Sequence, residues 1–189
     1  MGEAKRKIFV ISGPSGCGKN TVYDELKKRI PDVQQTVSAT TREKREGETD
    51  GIDYYFIPKE EFLKKIEQGE FVEYVRYGDN YYGTLKSEIK RLADEGKTVI
   101  LIIEVNGAAN IKRLLPDAVS VFITPPSFDE LTKRIVGIGT NSAEDIKKRI
   151  EIAKEEMRFK DMYDYCVVND RLEDCVDRIS KIIKGATEK

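Results

Sequence analysis

A short glycine-rich segment between an apolar run and a helix-like pattern constrains this chain more than any other feature of its sequence. Residues 13–21 read GPSGCGKNT and closely follow an apolar, β-branched run at residues 8–11. Val22, Leu26 and Ile30 come next at four-residue spacing, which predicts one buried face of a helix. The order of strand, tight turn and helix is the pattern of a phosphate-binding loop, and we refer to residues 13–21 as the P-loop.

The residue types of the P-loop suit the binding of a nucleotide phosphate chain. Glycines let the backbone wrap closely around phosphate oxygens, and N–H groups at a helix N-terminus point toward the anion. Lys19 adds a positive charge at the β- and γ-phosphates, whereas Asn20 stands where this pattern usually has a hydroxyl for Mg²⁺. No side chain is therefore predicted as a direct metal ligand. The predicted phosphate contacts are Gly13, Pro14, Ser15, Gly16, Cys17, Gly18, Lys19, Asn20 and Thr21.

The rest of the chain largely alternates strand and helix patterns. Further buried-type strands are predicted at residues 98–103, 119–123 and 166–168. Helix patterns accompany them at 107–115, 127–136, 143–161 and 172–183. Alternation of this kind predicts an α/β fold in which helices cover both faces of a parallel sheet.

Residues 36–91 interrupt this alternation and predict an inserted lobe. The segment is rich in Tyr, Thr, Gly and charged residues and holds only short strand-like pieces, so we expect mixed α+β structure with antiparallel pairing. The core then consists of residues 1–35 and 92–189. A lid is predicted at about residues 137–148, where a loop with two glycines leads into a polar helix start.

Composition limits the chemistry that is open to the chain. Its 33 Lys and Arg against 34 Asp and Glu give a net charge of −1. The chain therefore has no overall positive electrostatic field that would attract nucleic acid or an anionic membrane. The absence of histidine excludes Ser-His-Asp and Cys-His catalysis and His-ligated zinc. The three cysteines form no CxxC pair, and no apolar run approaches the ~18 residues of a membrane span. We therefore expect a cytoplasmic protein with neither a nucleic-acid nor a membrane partner.

Two clusters within the lobe suit a second phosphorylated substrate. Arg42 and Arg45 lie three residues apart, and their forked donors fit a phosphate, although a solvated charged loop has the same composition. Glu73 offers a carboxylate that can accept from the N–H edge of guanine, and Tyr82 offers a phenol that can reach a phosphate. The alternative for the tyrosines is simple packing of a small lobe.

Charged residues in the core add a third candidate cluster. Arg134 and Arg149 flank the predicted lid and would approach a transferring phosphoryl group if the lid folded over the P-loop. Both would otherwise be ordinary residues on a helix surface. Glu104 follows a predicted strand at the carboxyl edge of the sheet, where α/β proteins place their ligands. It could hold a base or a metal-bound water, or only cap the next helix.

Taken in order, these segments resemble the guanylate kinase family. The resemblance covers nearly the whole chain, through GPSGCGK, SATTREKREGETDGIDYYF, GEFVEYVRYGDNYYGT, LIIEVNGA, the PPS of residues 125–127, GTNS, AKEEM and YCVVND. It implies a P-loop NTPase-type core, a GMP-binding lobe at residues 36–91 and a lid. The implied reaction is phosphoryl transfer from Mg-ATP to GMP, giving ADP and GDP, with Mg²⁺ held mainly by the ATP phosphates and water.

Carried over by position, the resemblance implies a role for each candidate residue. The residues around guanine are Ser38, Glu73, Thr84 and Glu104. The ligands of the GMP phosphate are Arg42, Arg45, Tyr54 and Tyr82. The cations that stabilise the transition state are Lys19, Arg134 and Arg149. Asn169 lies near the adenine of ATP, whose phosphates bind the P-loop.

Three positions depart from the family's pattern. Ile138 stands in place of a lid arginine, Ile102 in place of an acid on the strand before Glu104, and Asn20 lacks a hydroxyl. We therefore expect slower turnover, with a guanylate-kinase-like nucleotide- or protein-binding module of weakened activity as the alternative. A kinase for another monophosphate such as AMP is disfavoured by Glu73, because a carboxylate would repel the N1 acceptor of adenine.

Overall fold

A five-stranded parallel sheet forms the centre of the fold in the computed structural model, which describes residues 8–137 and 142–187. The strands are β1 (Ile8–Ser12), β2 (Val33–Gln35), β7 (Thr98–Ile102), β8 (Val119–Thr124) and β9 (Tyr165–Val168). Their spatial order is β2–β7–β1–β8–β9, so the strand that leads into the P-loop is paired on both sides. The inner strands are nearly continuous apolar runs because both of their faces are covered.

Helices cover the two faces of this sheet. They are α1 (Lys19–Arg29), α3 (Lys86–Asp94), α4 (Val105–Leu114), α5 (Phe128–Gly137), α6 (Ala143–Glu156) and α7 (Leu172–Thr187), with a 3₁₀ helix at Met157–Met162. Leu26 of α1 and Ile179 of α7 pack with Phe9 on one face of the sheet. Leu92 of α3 packs with Val10 on the other. None of the described helices is both long and apolar enough to cross a membrane.

A second, mixed sheet forms the inserted lobe. Its strands are β3 (Ala39–Thr40), β4 (Tyr55–Phe56), β5 (Phe71–Tyr77) and β6 (Asn80–Leu85), in the order β4–β3–β6–β5, with helix α2 at Lys59–Glu67. The pairs β3–β6 and β5–β6 are antiparallel, as expected for the lobe, and β3–β4 is parallel. The lobe has its own small core, in which Ala39, Phe62 and Phe71 are buried.

The structure confirms the expected fold class and the order of the predicted strands and helices. The edge strand β2 was not expected, because only Val33 of its residues is buried and three residues show no clear period. The helix expected at residues 143–161 is α-helical only to Glu156 and continues as the 3₁₀ helix. Position 91, the expected end of the lobe, lies within α3. Of the predicted lid, residues 138–141, and with them Ile138, lie outside the described residues.

We expect Phe62→Ala to destabilise the lobe strongly. Phe62 has no exposed surface, and its ring stacks on Phe71 with 4.3 Å between centroids, so truncation leaves a cavity that few other buried side chains can fill. The expected loss is about 3 kcal/mol or more of unfolding free energy, measured by urea denaturation. Leu63→Ala is the matched control, because Leu63 is the next residue of α2 and is 38% exposed. Equal losses in the two variants would contradict this assignment of the lobe core.

Candidate active site

The P-loop forms a tight turn between β1 and α1. Gly16 and Gly18 have φ angles of 83° and 88°, in the left-handed region that favours glycine. A β-carbon at Gly13 would lie 2.2 Å from the Ile123 carbonyl oxygen, so no side chain fits there. Gly18 caps the N-terminus of α1, and the free N–H groups of that helix end therefore face the loop. The backbone meets the requirements of a phosphate site.

Cys17 points away from the surface of the loop and into the protein core. Its side chain is fully buried and belongs to the same apolar cluster as Ile11 and Cys175. Burial raises the pKa of the Cys17 thiol, and the nearby Lys19 only partly opposes that effect. The thiol therefore acts as a small packing group beneath the turn.

Two of the predicted cations contact the P-loop directly. The Nζ of Lys19 donates to the Gly13 carbonyl at 2.6 Å and to the Pro14 carbonyl at 3.3 Å. Arg149, delivered by α6, donates from Nη2 to the Ser15 Oγ at 2.8 Å. Two positive charges from distant parts of the sequence thus meet at one turn, as the transfer of a phosphoryl group requires.

Arg134 reaches the P-loop through Asn169. Its Nη1 donates to the Asn169 carbonyl at 3.0 Å, and its Nε donates to Glu130 at 3.3 Å. Asn169 is 7% exposed, and its Nδ2 donates to the Cys17 carbonyl at 2.9 Å. The side-chain nitrogen of Asn169 thus connects the end of β9 to the P-loop. Arg134 bonds to Asn169 and so contacts the P-loop only indirectly.

Glu156 also lies at the P-loop, although the sequence alone does not single it out. Its Oε2 is buried and has no hydrogen-bond partner among the described residues. Burial raises the pKa of Glu156, and the charge of Glu104 adds to that rise, while Lys19 and the N–H of Ser15 oppose it. Adjacent glutamates near a helix end look like solvated surface, so only the AKEEM segment as a whole offered a signal.

A cavity of about 610 Å³ lies between the lobe and the carboxyl edge of the central sheet. We call it the lobe cavity. The predicted residues that line it are Ser38, Tyr54, Glu73, Tyr82 and Glu104. The lining residues that had not been predicted are Tyr74, Val75, Tyr77, Gly83, Ile102, Ile103 and Gly107. Its volume suits a small organic ligand, and its carboxylates, hydroxyls and aromatic rings offer both polar and stacking contacts.

Glu73 is the most deeply placed carboxylate of the lobe cavity. Thr84, which faces it across β5 and β6, is fully buried and donates from Oγ1 to Glu73 Oε1 at 2.8 Å. Thr84 therefore orients the carboxylate from behind rather than lining the cavity. Burial raises the pKa of Glu73, and the charge of Glu104 acts in the same direction, whereas the bonds from Thr84 lower it.

The predicted phosphate arginines lie at the edge of the lobe and do not line the cavity itself. Arg42 is held by Glu48 in a two-point ion pair, with Nη1–Oε2 at 3.0 Å and Nη2–Oε1 at 2.7 Å. The Arg45 side chain is exposed, and the backbone N–H of Arg45 donates to Glu48 Oε2 at 2.8 Å. The structure thus brings the two arginines together through one carboxylate.

Comparison with known proteins gives one consistent result. A family model described as guanylate kinase matches residues 5–186. The guanylate kinase of Lactococcus lactis subsp. lactis is 49% identical over 178 residues, covering 94% of this chain and 87% of the relative. The guanylate kinase of Thermotoga maritima is 44% identical, with coverage of 98% and 89%. The crystal structure of guanylate kinase from Anaplasma phagocytophilum is similar with a TM-score of 0.76 and 34% identity, over 100% of this chain and 90% of that one.

We expect Glu73→Gln to change how stability depends on pH in the nucleotide-free protein. In the folded state the pKa of Glu73 is raised above its ordinary 4.5. The contribution of Glu73 to the free energy of unfolding is therefore fully present below pH 4.5 and is lost as the pH rises through the pKa of the folded state. Glutamine keeps an acceptor for Thr84 but never ionises. The Tm of the variant, relative to that of the wild type, should therefore increase as the pH is raised from about 4.5 to neutrality.

Thermal unfolding of both proteins across this range measures the effect. Glu60→Gln, at an exposed position of α2, is the control for losing a carboxylate. A Tm difference between Glu73→Gln and wild type that does not change with pH would contradict the expected ionisation of a buried carboxyl group.

Proposed function

The chain belongs to the guanylate kinase family, and we propose that the P-loop and the lobe cavity bind the two substrates of its reaction separately. The protein transfers a phosphoryl group from ATP to GMP, giving ADP and GDP. In this proposal the ATP phosphates bind at residues 13–21, and GMP binds between residues 36–91 and the sheet edge. Helix α3 joins the two parts, because its Ile89 and Leu92 pack on the core sheet.

The observation that carries the assignment of GMP is the pair of carboxylates in the lobe cavity. Glu73 and Glu104 both line it, and the charge of Glu104 adds to the rise in the pKa of Glu73 that burial causes. Guanine presents N–H donors at N1 and N2, which match carboxylate acceptors, whereas adenine presents an acceptor at N1. Two acceptors that line one cavity therefore support GMP over AMP as the acceptor substrate, with Ser38 as a further polar contact.

The catalytic step in this proposal depends on position and charge. The phosphate of GMP attacks the γ-phosphoryl group in line, and no covalent intermediate with the protein is needed. Lys19 and Arg149 lie at the P-loop and neutralise charge that spreads over the equatorial oxygens of the transferring group. Arg134 acts from further out and fixes Asn169, whose side chain fastens the P-loop.

Mg²⁺ fits the residues at this site as a cofactor that accompanies ATP. Oxygen ligands suit Mg²⁺, and the buried Oε2 of Glu156 lacks a hydrogen-bond partner among the described residues. No group of three or more acidic, cysteine or histidine side chains that could hold a metal is found in the described part of the chain. We therefore propose that Glu156 would hold a water ligand of an ion bound mainly by the phosphates. Such an ion supplies charge neutralisation for the transfer.

The alternative of a binding module with weakened activity finds no support at the P-loop. Gly13, Gly16 and Gly18 keep the backbone conformations that a side chain would disturb, and Lys19 is in place. Asn20 is exposed at the start of α1 and leaves this geometry intact. A cytoplasmic location remains a prediction from composition.

An assay of ADP formation with ATP, Mg²⁺ and each of GMP, dGMP, AMP, CMP and UMP tests the proposal. We expect turnover with GMP and little with AMP, because of the two carboxylates. Comparable turnover with AMP would contradict the assignment of Glu73 and Glu104. Binding of GMP without turnover would instead contradict the assignment of the catalytic cations.

We expect Arg149→Met to lower kcat about 100-fold or more with little change in the Kd for GMP, since the lost charge acts mainly in the transition state. Lys148→Met is the matched control, because Lys148 is the preceding residue of α6 and pairs only with Glu144 on the surface among the described contacts. Steady-state kinetics and calorimetry separate the two effects. A parallel loss of kcat in both variants would indicate damage to the helix instead of loss of a catalytic charge.

A further inference from the structure

The guanidinium group of Arg42 is fixed from several directions at once. Two of its nitrogens bond to the carboxylate of Glu48, and Nη1 also donates to the Glu43 carbonyl at 2.7 Å. Its carbon lies 5.5 Å from the ring centroid of Tyr54 and 5.7 Å from that of Phe56, within the range of cation–π attraction. The side chains of Arg42 and Glu48 are only 14% and 20% exposed. This is a partly buried, forked ion pair, which holds its geometry far better than an exposed single contact.

Arg42 also lies close to two tyrosines that line the lobe cavity. After the bonds to Glu48, the Tyr82 hydroxyl is a further cause that raises the pKa of Arg42. The rings of Tyr54 and Tyr82 meet edge to face at 6.0 Å, and both residues line the cavity. The guanidinium group of Arg42 is thus bonded to Glu48 and lies near two phenols of the cavity.

Glu48 also shapes the loop between the two arginines. Its Oε2 accepts from the N–H of Arg45 at 2.8 Å, in addition to its bond from Arg42. The hydrogen bonds from Arg42, followed by that from the Arg45 N–H, lower the pKa of Glu48 to about 2. The carboxylate therefore stays ionised at neutral pH and keeps its hydrogen bonds to both residues.

We propose that Glu48 is a positioning residue for the phosphate of GMP, because it holds Arg42 beside Tyr54 and Tyr82 and sets the loop that carries Arg45. The proposal rests on the proposed function and on the role that the family resemblance implies for Arg42, as a ligand of that phosphate. The phosphate then meets donors that are already in place, and the ordering of a long, flexible arginine is completed before binding.

The opposite role would make Glu48 a competitor that occupies the Arg42 fork until the phosphate displaces it. The bond from the Arg45 N–H argues against this, because displacing Glu48 would also release the loop that carries the second arginine. The two roles predict opposite changes in the affinity for GMP when the carboxylate is removed. Removing a positioning carboxylate weakens GMP binding, and removing a competitor strengthens it.

Glu48→Gln tests the proposal, since glutamine has the same shape but lacks the charge and one of the two acceptors. We expect the Kd for GMP to rise at least about tenfold, as when hydrogen bonds to a charged group are lost. The Kd for guanosine, the KM for ATP and the kcat at saturating GMP should stay close to those of the wild type, because Glu48 acts only through the phosphate ligands.

Glu46→Gln is the matched control, because Glu46 is an exposed glutamate of the same loop and the change in charge is identical. Its Kd for GMP should stay within about twofold of the wild-type value, as for a surface charge. Glu48→Asp keeps the charge but shortens the side chain, and its Kd for GMP should lie between those of wild type and Glu48→Gln.

A double-mutant cycle with Arg42→Met shows whether Glu48 acts through Arg42. In the Arg42→Met background, we expect Glu48→Gln to raise the Kd for GMP much less than it does in the wild type, because the residue that Glu48 positions is gone. An undiminished effect there, an equal loss of guanosine binding, or tighter binding of GMP by Glu48→Gln would each overturn the proposal.

The failure of the underlying assignment has a different signature. If Arg42→Met itself leaves the Kd for GMP unchanged, then Arg42 is not a phosphate ligand, and the proposed function fails at this residue. If Arg42→Met weakens GMP binding while Glu48→Gln does not, only the role of Glu48 is wrong.

Discussion

The pairing of β1 with β7 on one side and β8 on the other is the interaction on which the rest of the molecule depends. Because these strands run parallel, their carboxyl ends meet at one edge of the sheet, and the segments that follow them are delivered there. The P-loop follows β1, and Glu104 follows β7. Ser12 adds a hydrogen bond of 2.9 Å to the Ile103 carbonyl at this edge. The lobe is inserted between β2 and β7, and its cavity therefore includes residues at the end of β7.

Positively and negatively charged side chains lie close together in the candidate site. Lys19 and Arg149 contact the P-loop, whereas burial raises the pKa of Glu73 and Glu156, and the charge of Glu104 acts on both carboxylates. A carboxylate that is buried near a like charge destabilises the free protein while it is ionised. In the proposed function the substrates supply the missing partners, because guanine brings N–H donors and the phosphates bring anionic oxygens with their metal. In that proposal, binding and not folding completes part of the electrostatic complementarity of the protein.

Much of the fold and part of the site could be predicted from the sequence, for reasons that differ from residue to residue. The apolar run of β1 and the spacing of the P-loop are local patterns, and local patterns are readable. Thr84 was placed around the guanine, but its position behind Glu73 depends on the register of β5 and β6. Glu48 and Glu156 could not be selected, because a glutamate among other charges looks solvated until tertiary contacts bury it.

The inward orientation of Cys17 has a practical consequence for chemistry on the intact protein. Cys17 and Cys175 are buried, and Cys166 on β9 is exposed. A thiol reagent that meets the folded molecule therefore has one accessible target, even though the sequence places a cysteine in the middle of the P-loop. A dye or spin label can be attached at Cys166 without engineering, and the label will leave the phosphate-binding turn unmodified.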